Sequence, residues 1–302
     1  MGTAAEPGAI GRDPCHLFSR SDRLPRLRFT VILSDILFWR DTEPRSASFQ
    51  MALDEALFSW AAGEGVAAAR FYRWSAPART IGYFEATLAP QPAGTVRRFT
   101  GGGLVEHHDD LTFALALPPN TAPTSAPAAE RYRWIHECLR RALAEAGLAV
   151  SLAVPELAMA IAEPADDSVH PGDFTRAPAE APEIDAPPGN EGPSGRAEPI
   201  RRIPRPCFAN PVPADLVDEI SRAKIGGGAQ RRSRGAVLHQ GSLRLPANLG
   251  EIFHPWIESF LDNLAQRPRP LEDAEQSAVS ARAEILHSDR YGAEAWNRPS
   301  TR

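Results

Sequence analysis

Between Pro155 and Pro206 the chain loses the means to build a core. This stretch holds 11 of the 29 prolines, many acidic residues and almost no large apolar side chains. Proline removes a backbone donor, and a segment so poor in apolar residues cannot offset the entropy of ordering itself. Residues 160–202 are therefore expected to be a disordered, Pro-rich acidic insertion. The flanking stretches, 29–159 and 203–296, must then meet in space as one catalytic-sized domain. With 302 residues and 43% apolar content, such a domain can bury a full core without metal or disulfide staples. Residues 1–28, rich in Gly, Pro, Arg and Ala without sustained periodicity, are expected to be a flexible extension.

Periodicity supplies the elements. Thr30 to Phe38 reads as a strand, and Ser46 to Ala62 places Phe49, Leu53, Ala56, Leu57 and Trp60 at helical spacing, with Ser46 or Ser48 as N-cap. Arg70 to Trp74 and Thr80 to Phe84 are short aromatic, β-branched runs. In Leu111 to Leu117 the odd positions are all large and apolar, the alternation of a strand with one buried face. Ala128 to Ala146 reads as a helix whose core stripe includes Cys138, closed by Gly147. Asp215 to Ile220 and Gly235 to Leu245 read as strands flanking a glycine run. A mainly helical C-terminal part is expected over Glu251 to Leu264 and Asp273 to about Trp296.

Charge and cysteine usage exclude several classes. A net charge of −5 does not make a nucleic-acid-coating surface, so anion binding must be local. Cys15, Cys138 and Cys207 are odd in number and widely spaced, unlike a zinc site or a secreted disulfide framework. A reducing cytoplasm is the expected setting. No apolar run approaches the ~20 residues of a membrane span, and the N-terminal residues, with Pro7, Asp13 and Arg20, do not read as a signal peptide.

Of the 33 lysine and arginine side chains, Lys224 is the one lysine. Arginine serves wherever diffuse charge suffices, but not where a compact ammonium must point three donors at a small oxyanion. Lys224 opens Lys-Ile-Gly-Gly-Gly-Ala-Gln-Arg-Arg, in which glycines allow close backbone approach to a ligand. A second cluster, Arg97-Arg98-Phe99-Thr100-Gly101-Gly102-Gly103, lacks the Lys of a P-loop and the spacing of a dinucleotide fingerprint. Flanked by cations, it is either a cradle for a carboxylate or phosphate, or a tight hairpin bend. His107, His108, Asp109 and Asp110 alternate faces on a strand and cannot converge on one ion, so no metal site is expected.

These motifs, Arg-Arg-x-Thr-Gly-Gly-Gly-x-Val-x-His, then Lys-Ile-x-Gly-x-Ala-Gln-Arg-Arg, then His239-Gln240-Gly241-Ser242-Leu243, resemble the lipoate protein ligase A and octanoyltransferase family. Gln50 to Leu57 resembles its first helix, and Arg70 to Ser75 with Thr80 to Phe84 its next two strands. The likeness spans about residues 46–245 in order, apart from the insertion. It implies an α+β fold, a mixed β-sheet flanked by helices like the biotin/lipoate protein ligase catalytic domain, with an acyl chain beside both glycine segments. Lys224 would contact the carboxyl-derived oxygen of lipoate or octanoate. Arg98, Thr100, Gly101, Gly102, Gly103, His107, Gly226, Gly228 and His239 match positions lining the same pocket.

Two mechanisms divide this family. A ligase uses ATP and Mg to make an acyl adenylate, whereas an octanoyltransferase needs no cofactor and takes the acyl group from acyl carrier protein onto its own cysteine. Cys207, in Cys-Phe-Ala-Asn-Pro, resembles the Cys-Phe-x-x-Pro segment of the transferases and favours the second. A thiolate near Lys224 and the arginines would be a competent nucleophile; otherwise Cys207 is a buried small hydrophobe. The acceptor would be a lipoyl domain or the glycine cleavage H protein, and Arg231, Arg232 and Arg234 would dock acidic carriers or remain a solvated turn. Glu85 and Gln240 stand where the family usually has Gln and His. A non-catalytic acyl-binding paralogue is the reading from another class. Biotin ligation is weakened by the absence of a Gly-Arg-Gly-Arg loop.

Overall fold

The structure, a computed structural model, describes residues 32–85, 94–155, 208 and 210–297. The expected extension 1–28 and insertion 160–202 lie outside these residues, and so does Cys207.

Strand β1 (Leu33–Asp41) leads into helix α1 (Ala47–Glu64). The Ser46 side chain caps the helix by accepting from Phe49 N at 3.3 Å, and Gly65 ends it in the left-handed region at φ 69°. Then follow β2 (Ala67–Arg73), β3 (Ala78–Ile81), β4 (Thr95–Arg97), β5 (Val105–His107) and β6 (Leu111–Leu117). A short α2 (Ala122–Ser125), the long α3 (Ala128–Glu145) and β7 (Val150–Leu152) complete the first half. The second half supplies β8 (Leu216–Asp218), β9 (Lys224–Ser233), β10 (Ala236–Leu243), α4 (Trp256–Leu264), β11 (Ala265–Pro270), α5 (Asp273–Leu286), a π turn at 287–291 and α6 (Glu294–Asn297).

Eight strands form one sheet in the order β11-β1-β2-β6-β10-β9-β8-β7. Both neighbours of β1 are parallel to it and every other pair is antiparallel, so the sheet is mixed. Central strands β6 and β10, one from each side of the Pro-rich stretch in sequence, pair antiparallel side by side. A small second sheet, β4-β3-β5, carries the first glycine cluster.

Helix α1 covers one sheet face, packing Leu53, Ala56 and Leu57 on Ala68, Tyr72, Ala114, Ala116 and Leu238. The other face stacks Phe71 and Phe113 against Phe260 of α4. Every residue of β6 is therefore buried, not one face only. Its alternation is of large side chains on the α4 side with alanines under α1, where a helix backbone must come close. Among the described residues, no helix is long and apolar enough to cross a membrane.

One expectation changes. The Lys224 glycine run is strand β9 itself, not a loop between strands: Gly227 pairs with Ser242 and Gly228 with Gly241. Consecutive glycines in a strand mark places where neighbouring side chains occupy the missing Cβ positions. The C-terminal part is mainly helical, as expected, and Ala-Gln-Arg-Pro-Arg-Pro, between its two helical stretches, forms β11 parallel to β1. Its two prolines are tolerated because β11 is an edge strand.

Candidate active site

Lys224 begins β9 and turns its ammonium onto Asp215, with Nζ 2.7 Å from Oδ2; its side chain is 7% exposed and that of Asp215 is fully buried. A stray surface lysine is ruled out. The ammonium also lies 5.6 Å from the centre of the Phe208 ring, over which Arg244 stacks at 3.9 Å. Gly227 makes the room: a Cβ there would lie 2.6 Å from Lys224 Cε and 2.8 Å from both Nζ and Asp215 Oδ1. Gly226 and Gly228 serve different neighbours. A Cβ at Gly226 would strike Leu243 and Leu216, and one at Gly228 would lie 2.5 Å from His239 Nε2.

The first glycine cluster bridges β4 and β5 and lies over β9, where a Cβ on Gly102 would approach Ala229 Cβ to 3.6 Å. Gly102 has φ 84°, which favours glycine. Arg98 curls the loop by donating to the carbonyls of Gly101, at 2.7 Å, and Gly103, at 2.9 Å. Its other terminal nitrogen donates to Thr80 Oγ1 at 3.2 Å. Arg231, from β9, is held between the rings of Tyr83 and Phe99, 4.0 Å from each, and donates to Phe99 O. Two glycine segments and three cations thus surround a floor of Gly227 and Ala229.

His107 lies behind this loop. Its Nδ1–H donates to Asp110 Oδ2 at 2.7 Å, so neutral Nε2 accepts from the Thr80 hydroxyl at 2.9 Å. Its ring stacks on Trp74 with centroids 4.0 Å apart. Burial would raise the Asp110 carboxyl, but His107, the Ser242 hydroxyl and His108 N–H all donate to it and hold it down at about 2. His108 and Asp109 face solvent, so the four residues do not converge. Among the described residues, no group of three or more His, Cys, Asp or Glu could hold a metal ion.

Thr100 anchors the loop to α1. Its hydroxyl donates to Gln240 Oε1 at 2.7 Å, and Gln240 Nε2 donates to Asp54 Oδ2 at 2.6 Å. Tyr72 OH donates to the same oxygen at 2.9 Å. Arg70 then joins Asp54, at 2.8 Å, to Asp41, at 2.7 Å, with all three side chains fully buried. Gln240, where the resemblance implies His, ties the loop to Asp54 of α1.

His239 sits on the opposite sheet face, near α3. Gln230 Oε1 accepts from Arg131 Nε at 3.0 Å, which turns the Gln230 amide nitrogen toward His239 Nδ1 at 3.2 Å. His136, 5.3 Å away between ring centroids, donates from Nδ1 to Ala214 O at 2.7 Å. Burial lowers His107 and His136, His136 to about 4, and lowers His239 well below its usual range. Unfolded histidine titrates near 6.5, so between pH ~6.5 and ~4 the unfolded chain binds more protons than the folded one. Stability is therefore present above pH ~6.5 and lost on acidification, on the order of 3 kcal/mol from His136 alone. Asp110 adds to the loss only below pH ~4. The urea midpoint should fall steadily from pH 6.5 to 4.5; a flat profile would contradict this.

Lys224 thus lies against Gly227 on β9, and the loop of Arg98, Thr100, Gly101, Gly102 and Gly103 lies over Ala229, two residues further along the same strand. His107, Gly226, Gly228 and His239 stand behind the site. Arg232 and Arg234 are exposed at the β9–β10 hairpin, unlike Arg231, whose guanidinium is stacked. Cys138 donates to Asn263 O, and burial pushes its thiol up to about 12, which suits packing and not nucleophilic chemistry. Sequence reasoning missed Tyr132 and Asp215. The available signal was the pair Tyr132 and His136, polar groups four apart inside the buried stripe of α3.

No family model matches the chain. It is 28% identical over 222 residues to the octanoyltransferase LipM of Oceanobacillus iheyensis, covering 70% of this chain and 65% of that protein. The chain therefore spans a little under two thirds of that relative's length. Its fold is that of lipoate protein ligases. A lipoate-protein ligase A solved with ATP superposes with TM-score 0.55 at 19% identity, over 88% of this chain and 98% of that one. A bipartite lipoate protein ligase of Thermoplasma acidophilum, described with its E2 lipoyl domain, superposes with TM-score 0.53 at 17% identity, over 89% and 100%.

Proposed function

We propose that the chain is an acyltransferase of protein lipoylation, taking an octanoyl group from acyl carrier protein onto Cys207 and passing it to a lysine of a lipoyl domain or of the glycine cleavage H protein. The observation that carries this reading is the Lys224 ammonium, buried against Gly227, with Phe208, the residue after Cys207 in sequence, 5.6 Å from it. The likeness to octanoyltransferases agrees with it.

In the first step the Cys207 thiolate attacks the carbonyl carbon of the donor thioester. The carrier's thiolate leaves and takes up a proton. In the second, the acceptor lysine amine attacks the new thioester, forming the amide, losing a proton and returning the Cys207 thiol. Both steps pass through a tetrahedral oxyanion, and the Lys224 ammonium is the donor that meets it. A cation beside a thiol favours its thiolate, and Lys224 and Arg244 both rest on Phe208, the residue that follows Cys207 in sequence. No ATP is consumed, because the donor is already a thioester. Arg232 and Arg234 would steer the acidic carrier.

Intact mass after incubation with octanoyl acyl carrier protein, without ATP, tests this. The expected result is a gain of one octanoyl group at Cys207, lost on hydroxylamine treatment. Lipoyl-domain modification only with lipoate and ATP would make the chain a ligase, a reading the fold also fits. No reaction in either assay would leave an acyl-binding protein.

A further inference from the structure

A lysine side chain carries about 2 kcal/mol of rotamer entropy on its flexible stem, so an ammonium that must meet one oxygen has to be held. Here the holding group is Asp215, and Asp215 is itself held at both oxygens. Oδ2 accepts from Val212 N at 2.7 Å and pairs with Lys224 at 2.7 Å, while Oδ1 accepts from the Tyr132 hydroxyl at 2.5 Å. That hydroxyl accepts in turn from Gly228 N at 2.9 Å, so its single proton is directed to the carboxylate. The Tyr132 ring packs on His136 with centroids 4.0 Å apart, and His136 donates to the carbonyl of Ala214, the residue before Asp215. Tyr132 and His136 lie four residues apart on α3, so one helix face grips both the backbone and the carboxylate at this point.

We infer that Asp215 and Tyr132 are positioning residues for Lys224: the Tyr132 hydroxyl fixes the Asp215 carboxylate, and the carboxylate fixes where the ammonium stands relative to the acyl carbonyl. This rests on the transfer role proposed for Lys224. A hydroxyl that merely tied α3 to the sheet would, on removal, weaken the fold without moving the ammonium. Displacing a catalytic group by about 1 Å, in contrast, costs turnover by a factor on the order of 100.

Lys224 is the only lysine of the chain, so the full-length protein labelled with 13Cε,15Nζ-lysine gives one side-chain signal. Tyr132→Phe keeps the ring and its packing. It should displace or broaden that signal and lower octanoyl transfer about 10- to 100-fold in kcat, with KM for the donor within twofold. Asp215→Glu keeps the charge but moves it, and should do the same. An unchanged Lys224 signal in both folded variants overturns the inference, whatever the activity. A displaced signal with unaltered turnover would overturn instead the transfer role given to Lys224.

Discussion

Replacing Lys224 with arginine is expected to lower octanoyl transfer by about 10³-fold while leaving the protein folded. Loss of a single oxyanion donor costs on the order of 10²–10³ in rate, and a misplaced one costs about as much. The substitution keeps the charge, so Asp215, fully buried, retains a cationic partner. What changes is shape. A planar guanidinium must occupy a space in which even one carbon added at Gly227 would come within 2.6 Å of Lys224 Cε. Every other lysine-or-arginine position in the chain is arginine, so charge alone is already supplied elsewhere by that residue. Single-turnover transfer and thermal unfolding of the variant, measured together, decide the matter. More than a tenth of wild-type turnover would remove Lys224 from the chemistry.

Arg70→Met should produce the largest loss of stability, about 3–5 kcal/mol, because removing one partner of a buried ionic network leaves uncompensated charge. Arg70 is fully buried, joins Asp41 to Asp54, donates also to Gln50, and stacks 4.1 Å over the Tyr72 ring. Burial already pushes the Asp54 carboxyl above its usual value, with Arg70 opposing that rise. Without the guanidinium, Asp54 is driven toward its protonated form, and its hold on Gln240, and through it on Thr100, weakens. The glycine loop should loosen with the fold. Chemical denaturation measures the effect; a loss under about 1 kcal/mol would show that the network relaxes without Arg70.

Local pattern was legible wherever one face of an element answers to one environment. The N-cap of α1, the helix at 128–145 and the strand at 111–117 appeared within a residue or two of their expected bounds. Strand β11 was not legible, since Gln-Arg-Pro-Arg-Pro carries no apolar alternation and pairs through backbone at an edge. Strand β9 was misjudged for a related reason: glycines have no side chains from which to read a face. Only neighbours brought from α3, β8 and β10 show that Gly227 faces the ammonium while Gly226 and Gly228 face Leu243 and His239. The same holds for Asp215, which reads as the start of an ordinary strand until Tyr132, 83 residues earlier, donates to it.

By itself, then, the sequence determined that a single lysine stands apart from the arginines, that it opens a glycine run, and that a second glycine cluster flanked by arginines lies earlier in the chain. Hydrophobic periodicity and residue chemistry are local properties, carried by the chain wherever it goes. The tertiary structure alone decided which glycine makes room for the ammonium, which carboxylate receives it and which helix holds that carboxylate. Those are distances between residues remote in sequence, and they exist only once the sheet has closed.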